Sequence, residues 1–253
     1  IFVGSSDGNL YCLDPETGKE LWRFKTEGNI YNADSFATKG NIIYFGSDDQ
    51  NLYALDIENG KELWRFKTGG VINAAATIDN DVIYFTCHDR NLYVLDMEGK
   101  ELWRFQTGEK MGGKAIVHKD VIYFGSTDHN FYAVTVEGKL LWKFMTDNEV
   151  WGACITKDGV VYFGSYDCNF YALDAITGQE LFRFKAASSK TSEYDIEQET
   201  VFEFNSPQLA EEDDKEKDRY TSTVIASGNI ESEYNVKSEY QTKSEYQSGS
   251  DYK

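Results

Sequence analysis

The chain has 253 residues and a formal net charge of −18, from 25 basic and 43 acidic side chains. Hydrophobic residues make up 41% of the sequence and aromatic residues 15%, enough to bury a sizeable core, and the 2 prolines exclude a Pro-rich linker. The negative charge disfavours binding to nucleic acid or to anionic lipid surfaces, because both are negatively charged themselves. No apolar run reaches the length of about 18 residues that a membrane-spanning helix needs.

The cysteines of the chain are not spaced as pairs. They are Cys12, Cys87, Cys154 and Cys168, with no Cys-x-x-Cys motif among them. This spacing favours free thiols over two disulfides, and hence a reducing compartment such as the cytoplasm. The sequence begins at Ile1 without a leader, which is expected of a chain whose leader was removed or of a fragment.

A short segment containing Asp-x-Asn and a tyrosine recurs five times along the chain. Its aspartates, Asp7, Asp49, Asp89, Asp128 and Asp167, are 42, 40, 39 and 39 residues apart. A second anchor steps with the same period through Trp22, Trp64, Trp103, Trp142 and Phe182. The repeats divide residues 1–187 into units at about 1–29, 30–69, 70–108, 109–147 and 148–187.

Each unit predicts four short strands. In the third unit these are, in chain order, the small-residue run Asn73–Ile78, then Val82–Phe85, Asn91–Leu95 and Glu101–Phe105. A four-stranded unit of about 40 residues has the size of one propeller blade. The sequence therefore predicts an all-β fold, a β-propeller of four-stranded antiparallel blades with the small-residue strand near the axis.

The first unit lacks its innermost strand, because Ile1–Gly4 aligns with the second strand Ile43–Gly46. We therefore expect the five repeats to be part of a larger ring. The alternative is a five-bladed ring closed by a later strand, for which Thr200–Phe204 and Thr221–Ile225 are candidates.

The run Cys12–Trp22 resembles the tryptophan-docking motif of the PQQ-like, quinoprotein-type β-propeller repeat family. The third and fourth copies are one residue shorter, and the fifth has Phe182 in place of the tryptophan. WD40 repeats match less well, because the Trp-Asp dipeptide never occurs. The resemblance implies that Trp22, Trp64, Trp103, Trp142 and Phe182 are structural residues that dock between neighbouring blades.

Candidate functional residues are those that differ between units. The Asp-x-Asn pairs occur in every unit and are interpreted as Asx turns, not as metal ligands. We predict binding residues at the variable turn positions and at the starts of the inner strands on the same face of the ring. The turn candidates are His88, Arg90, His129, Tyr166 and Cys168, and the inner-strand candidates are Asp34, Asn73, Lys114 and Trp151. No metal site is predicted, because His88 and His129 lack a third ligand.

Residues 188–253 differ in composition from the repeats. They are acidic and carry Ser-Glu-Tyr at a period of six residues from Ser232, with Ser-Asp-Tyr as the last copy. Low hydrophobicity and high charge predict a disordered tail. The alternative is a strand-adding segment, because a period of six places every tyrosine on the same face of a strand.

The leading hypothesis is a non-catalytic β-propeller that binds protein partners through the variable turns and needs no cofactor. The first alternative is a degenerate quinoprotein that binds PQQ and calcium. The resemblance implies that such enzymes use a vicinal cysteine pair and long insertions between blades, which this chain lacks. The second alternative is a propeller lipoprotein-like factor for outer-membrane protein assembly, which requires a leader and a lipidation cysteine.

Overall fold

The computed structural model describes residues 1–30, 36–152, 154–155 and 158–186. Within these residues, the regular elements are strands, which form five antiparallel sheets, each made of strands consecutive in the chain. We number the sheets as blades 1 to 5, with β1–β3 in blade 1 and four strands in each of the others.

The strands have the following bounds. They are β1 Phe2–Gly4, β2 Asn9–Leu13 and β3 Glu20–Lys25 in blade 1; β4 Phe36–Lys39, β5 Ile42–Gly46, β6 Asn51–Asp56 and β7 Glu62–Lys67 in blade 2; β8 Thr77–Asp79, β9 Val82–Thr86, β10 Asn91–Asp96 and β11 Glu101–Gln106 in blade 3; β12 Ile116–His118, β13 Val121–Gly125, β14 Asn130–Thr135 and β15 Leu140–Met145 in blade 4; and β16 Cys154–Ile155, β17 Val160–Gly164, β18 Asn169–Asp174 and β19 Glu180–Lys185 in blade 5. The predicted tail, 188–253, and both candidate closing strands lie outside the described residues.

The burial of each strand follows its place in the blade. The third strand of blade 2, β6, is buried along most of its length, because both of its faces meet neighbouring blades. The outermost strand, β7, alternates instead, with Trp64 and Phe66 half-buried between exposed residues. Apolar clusters fill the space between successive blades, as between Leu10 of blade 1 and Ile43 and Phe45 of blade 2. The core therefore consists of layers between sheets.

The inner strand of blade 3 is shorter than predicted. β8 begins at Thr77, whereas the small-residue run predicted a strand from Asn73. The run lies in irregular backbone, where inner segments of adjacent blades contact each other. The Thr77 hydroxyl donates to the carbonyl oxygen of Ala115 at 2.5 Å, and the Thr86 hydroxyl to that of Gly113 at 2.7 Å. Ala74, Ala75 and Ala76 are buried in this irregular segment, so small side chains are packed here without strand pairing.

Each tryptophan of an outer strand contacts the following blade. The indole N–H of Trp22 donates to the carbonyl oxygen of Ile57 at 3.0 Å. The bond recurs as Trp64 to Met97 at 3.0 Å, Trp103 to Val136 at 3.0 Å and Trp142 to Ala175 at 3.2 Å. Burying a large aromatic ring while pairing its N–H stabilises an interface by about 2 kcal/mol or more.

A glycine of the following blade lies against each indole. Gly60 has a φ of 69°, and a Cβ added to it would lie 2.6 Å from a ring carbon of Trp22. Gly99, Gly138 and Gly178 occupy the same position against the next three indoles, also with positive φ. Glycine is required at these positions both by the left-handed backbone and by the absence of space.

The repeated aspartate joins its own turn to the preceding blade. One oxygen of Asp89 accepts the backbone N–H of Asn91 at 3.1 Å, which closes the Asx turn. The other accepts the hydroxyl of Tyr93 at 2.6 Å and the backbone N–H of Gly69, from the preceding blade's linker, at 2.8 Å. Asp49, Asp128 and Asp167 make the equivalent set of bonds.

The outer strands carry a paired glutamate and arginine. In blade 2, both nitrogens of the Arg65 fork donate to Glu62, the shorter at 2.6 Å, and the guanidinium lies 5.2 Å from the centre of the Tyr53 ring. Blades 1, 3 and 5 repeat this arrangement. In blade 4, Leu140 and Lys143 occupy the two positions, so the pair is replaced.

We expect Gly60→Ala to lower the free energy of unfolding more than Gly40→Ala does. Both glycines have positive φ, so both variants carry about 1 kcal/mol of backbone strain. Only Gly60 faces an indole, and overlap with Trp22 adds about 1–3 kcal/mol. Urea unfolding of the two variants measures the difference, and equal losses would contradict the docking role of the glycine.

We expect Asp128→Asn to reduce the loss of stability in acid. Burial acts to raise the pKa of Asp128, but hydrogen bonds from Tyr132 and from the Gly108 N–H outweigh it and hold the pKa below its ordinary value. The ionised Asp128 carboxylate therefore contributes its full stabilisation above the unfolded-state pKa of about 4. This contribution is lost as the pH falls through and below that value. Unfolding at about pH 6 and about pH 3 tests this, with the exposed Asp158→Asn as the control. If both variants follow the wild-type profile, Asp128 contributes nothing to acid sensitivity.

Candidate functional site

The variable turn residues lie next to the linkers that join the blades. The backbone N–H of His88 donates to the carbonyl oxygen of Val71 at 3.1 Å, and that of Tyr166 to the carbonyl oxygen of Glu149 at 2.9 Å. The same bond runs from Thr127 to Lys110 at 3.0 Å. Each turn residue is thereby fixed beside the start of its own blade's inner segment. Side chains from the two predicted sets of positions therefore share one face, which we call the turn face.

Trp151 is the centre of a cluster on this face. Its ring centre lies 6.3 Å from that of His88 and 6.4 Å from that of Tyr166, both in edge-to-face geometry. The ammonium of Lys110 lies 5.6 Å from the indole centre, within the range of a cation–π interaction. We name these four residues, His88, Lys110, Trp151 and Tyr166, the Trp151 cluster. It draws on blades 3 and 5 and on the linker that precedes blade 4.

Two glycines allow the indole to lie across blade 4. A Cβ on Gly112 would lie 2.2 Å from the Trp151 ring, and one on Gly113 would lie 1.4 Å from the Trp151 carbonyl oxygen. No side chain fits at either position without moving the tryptophan. The indole N–H donates to a carboxylate oxygen of Glu149 at 2.9 Å, which fixes the ring orientation. The side chain is thus positioned by contacts from both sides.

The surroundings of His88 favour the neutral form of its imidazole. Burial lowers its pKa first, the nearby Lys110 ammonium lowers it further, and Asp48 opposes them. A neutral imidazole has one N–H donor and one acceptor nitrogen. Its Nε2 is buried and has no hydrogen-bond partner among the described residues. The cluster therefore combines an apolar aromatic surface with one cation and one unsatisfied imidazole nitrogen.

The structure does not bring all predicted residues into this cluster. Arg90, His129 and Cys168 are exposed at the left-handed middle position of the Asp-x-Asn turns, with φ near 70°. Lys114 is exposed, Asn73 is half-buried, and Asp34 lies outside the described residues. His88, Trp151 and Tyr166 are thus the predicted residues that meet.

Sequence reasoning missed Lys110, Glu149 and Gly112. All three lie in or next to the linkers between blades, outside the turns and inner-strand starts from which the candidates were drawn. A signal was present, because aligned linkers read Asn29, Val71, Lys110 and Glu149 at one position, which is variable in the same way as the turns.

The described residues do not form a metal site of the kind that a quinoprotein needs for calcium. No group of three or more His, Cys, Asp or Glu side chains among them is placed to hold a metal ion. The turn aspartates, which recur in every blade on this face, already accept hydrogen bonds from the backbone and from tyrosines.

Burial raises the pKa of Cys87 to about 11, so this thiol stays protonated at neutral pH. In the part of the chain that the structure describes, no helix is long and apolar enough to span a membrane.

The five antiparallel sheets, their layered cores and the docked tryptophans define a β-propeller of PQQ-like repeats. The family model described as outer membrane protein assembly factor BamB matches residues 1–98 and residues 88–252. These two matches cover nearly all of the sequence, and the chain belongs to this family. The predicted repeat family and the predicted all-β propeller are confirmed. No curated protein matches the sequence.

The fold resembles those of many solved structures, among them the following two. The computationally designed protein Ika8 aligns with a TM-score of 0.66 and 19% identity over 74% of this chain and 58% of that one. BamB from Moraxella catarrhalis aligns with a TM-score of 0.62 and 18% identity over 72% of this chain and 60% of that one. The aligned part thus spans about 60% of the length of these proteins. At such identities the likeness concerns the fold alone.

We expect His88→Gln to weaken the pH dependence of stability near neutrality. Because burial lowers the pKa of His88 in the folded state, the unfolded chain binds the proton first. The free energy of unfolding is therefore unaffected by His88 above the unfolded-state pKa of about 6.5, and it falls as the pH drops below that value. Melting temperatures at about pH 7.5 and about pH 5.5 should differ less in His88→Gln than in wild type. His129→Gln, at an exposed turn position, is the control, and an unchanged pH dependence in His88→Gln would contradict the burial of the imidazole.

Proposed function

We propose that the protein is a non-catalytic propeller that binds protein partners through the Trp151 cluster on its turn face. The observation that carries this proposal is the meeting of Trp151 and Tyr166, two aromatics at positions that vary from blade to blade, beside a cation and an imidazole. Features common to all blades hold the ring together, so residues restricted to one place are the better candidates for recognition.

The chemistry of the cluster suits a protein surface. Tryptophan and tyrosine are enriched among residues that dominate binding energy in protein interfaces, because they bury a large area with few rotatable bonds. Tyr166 is 65% exposed, whereas Trp151 is half-buried and held by Glu149 and Gly112. A rigid indole beside an accessible phenol loses little conformational entropy on binding. Lys110, at the edge, favours a partner with a carboxylate near its apolar contact.

A second, narrower function follows from the family description. That description names an outer-membrane protein assembly factor, and a propeller in such a role acts by binding other proteins. We propose that the specific process is the assembly of outer-membrane proteins. The identity of the bound partner tests this proposal. The quinoprotein alternative has less support, because the described residues do not present the carboxylates that calcium binding requires.

Photocrosslinking tests the platform proposal. A photoreactive phenylalanine at Tyr166, in the full chain within its native lysate, should give a defined protein adduct identified by mass spectrometry. Trp151→Ala should lower the adduct yield at least about fivefold, since a dominant interface aromatic contributes about 1–3 kcal/mol. The same probe at Glu98, exposed on the opposite face, is the control and should not form this adduct.

The outcomes separate the candidate functions. An adduct with an outer-membrane assembly protein supports the narrower function, and an adduct with another protein supports the platform only. Equal yields at Tyr166 and Glu98, or no effect of Trp151→Ala, would overturn the turn face as the recognition surface. In that case, a rise in melting temperature with PQQ and calcium would favour the quinoprotein alternative.

A further inference from the structure

The imidazole of His88 and the indole of Trp151 border the same small space over Gly112. The two rings lie edge to face, with their centres 6.3 Å apart. A Cβ added to Gly112 would lie 2.2 Å from a carbon of the Trp151 ring and 3.1 Å from Nε2 of His88. That nitrogen is buried and has no hydrogen-bond partner among the described residues. The Trp151 cluster therefore encloses one polar atom that no described group satisfies.

Two charged groups from neighbouring elements act on this imidazole. The ammonium of Lys110, from the linker before blade 4, lies 5.6 Å from the centre of the same indole and disfavours a second cation at His88. The carboxylate of Asp48, from the turn of blade 2, favours one. It accepts a hydrogen bond from the side chain of Asn29 at 3.0 Å. Burial and Lys110 together outweigh Asp48, so the pKa of His88 lies below its ordinary value.

The other ionisable groups on the elements around His88 are bonded elsewhere or exposed. Asp89 and Asp128, in the turns of blades 3 and 4, each accept a tyrosine hydroxyl and a backbone N–H of a linker. Glu149 accepts the indole N–H of Trp151. The exposed groups are Arg90, Glu109, Lys114 and Tyr166. Lys110 and Asp48 are therefore the groups whose removal should change the protonation of His88.

Protonation would place a cation in this space without an acceptor. An imidazolium has an N–H donor at both nitrogens, whereas the neutral ring has one donor and one acceptor. A buried charged donor without a partner costs more free energy than a neutral group in the same place. The indole attracts cations, but Lys110 already occupies a position over the ring and repels a second positive charge. Separation of the two rings removes this cost, because water then reaches Nε2.

We propose that His88 is an acid-sensitive switch of the Trp151 cluster. Protonation of the imidazole separates it from Trp151, releases the indole from its position over Gly112 and so disrupts the surface that the cluster forms on the turn face. A partner bound at neutral pH is then released in acid. The release of the partner rests on the proposed function, whereas the movement of the indole does not.

Fluorine NMR of the full chain labelled with a fluorotryptophan is the first measurement. The chain has 5 tryptophans, and the resonance that is missing from Trp151→Phe belongs to Trp151. Between about pH 7.5 and about pH 5.5 this resonance should shift, with a midpoint below about 6.5. Its solvent isotope shift in D₂O should increase over the same range, as water reaches the ring. The resonances of the docking tryptophans should stay unchanged, which shows that the propeller remains folded.

Substitutions of the charged groups test the cause of the transition. His88→Gln should abolish it. Lys110→Met should raise the midpoint, because it removes the cation that opposes protonation, and Asp48→Asn should lower the midpoint, because it removes the carboxylate that favours protonation. His129→Gln, at an exposed turn position, is the control and should keep the wild-type midpoint. A Trp151 resonance that does not titrate, titrates also in His88→Gln, or shifts without a larger solvent isotope shift overturns the switch.

Photocrosslinking from Tyr166 at the same two pH values tests the release of the partner. In the wild-type chain, acid should lower the adduct yield as far as Trp151→Ala lowers it at neutral pH, whereas in His88→Gln the yields at the two pH values should agree. Equal wild-type yields at both pH values overturn the release. If Trp151 titrates as expected but no adduct forms at either pH, the proposed function fails and the switch stands.

Discussion

The packing of an indole on a glycine of the next blade is the contact on which the ring depends. It fixes the distance between adjacent sheets, because the glycine brings the backbone against the ring face while the indole N–H donates to a carbonyl oxygen of the same turn. The hydrogen bonds that Asp89 and Asp128 accept from the preceding blade's linker then join the other end of the same two blades. With both ends tied, the apolar layer between the sheets has a fixed thickness, and large side chains such as Phe45 and Tyr53 can fill it completely.

The architecture was predictable because the repeated unit occurs five times in the sequence. The spacing of Asp-x-Asn and of the outer-strand tryptophans located the repeats, and a unit of four short strands in about 40 residues indicated a propeller blade. The length of β8 was not predictable in the same way, because Ala74–Ala76 read as strand residues but lie where the inner segments of adjacent blades crowd each other. Nor was the role of Gly112, since a glycine between two blades carries no local signal of the distant Trp151 that it accommodates.

The Trp151 cluster shows how a repetitive scaffold produces a single place of distinct chemistry. Inner segments of successive blades converge near the axis, so one large residue reaches across its neighbour when that neighbour has glycine at the same position. His88, from blade 3, and Tyr166, from blade 5, are thereby brought to the same indole although 78 residues separate them in the sequence. Prediction from the turns alone found both side chains but not their meeting, because the meeting depends on the curvature of the ring.

The glutamate–arginine pairs of the outer strands bear on solubility. These strands are sheet edges, whose free backbone groups invite pairing with another chain, and charged side chains along an edge oppose such pairing. Blades 1, 3 and 5 carry the pair that Arg65 and Glu62 form in blade 2. Blade 4 has Leu140 and Lys143 instead, together with the exposed Leu141 and Met145. The outer strand of blade 4 is therefore less protected against edge-to-edge aggregation than the outer strands of the other four blades. Lys143 is the charged residue in the middle of this strand.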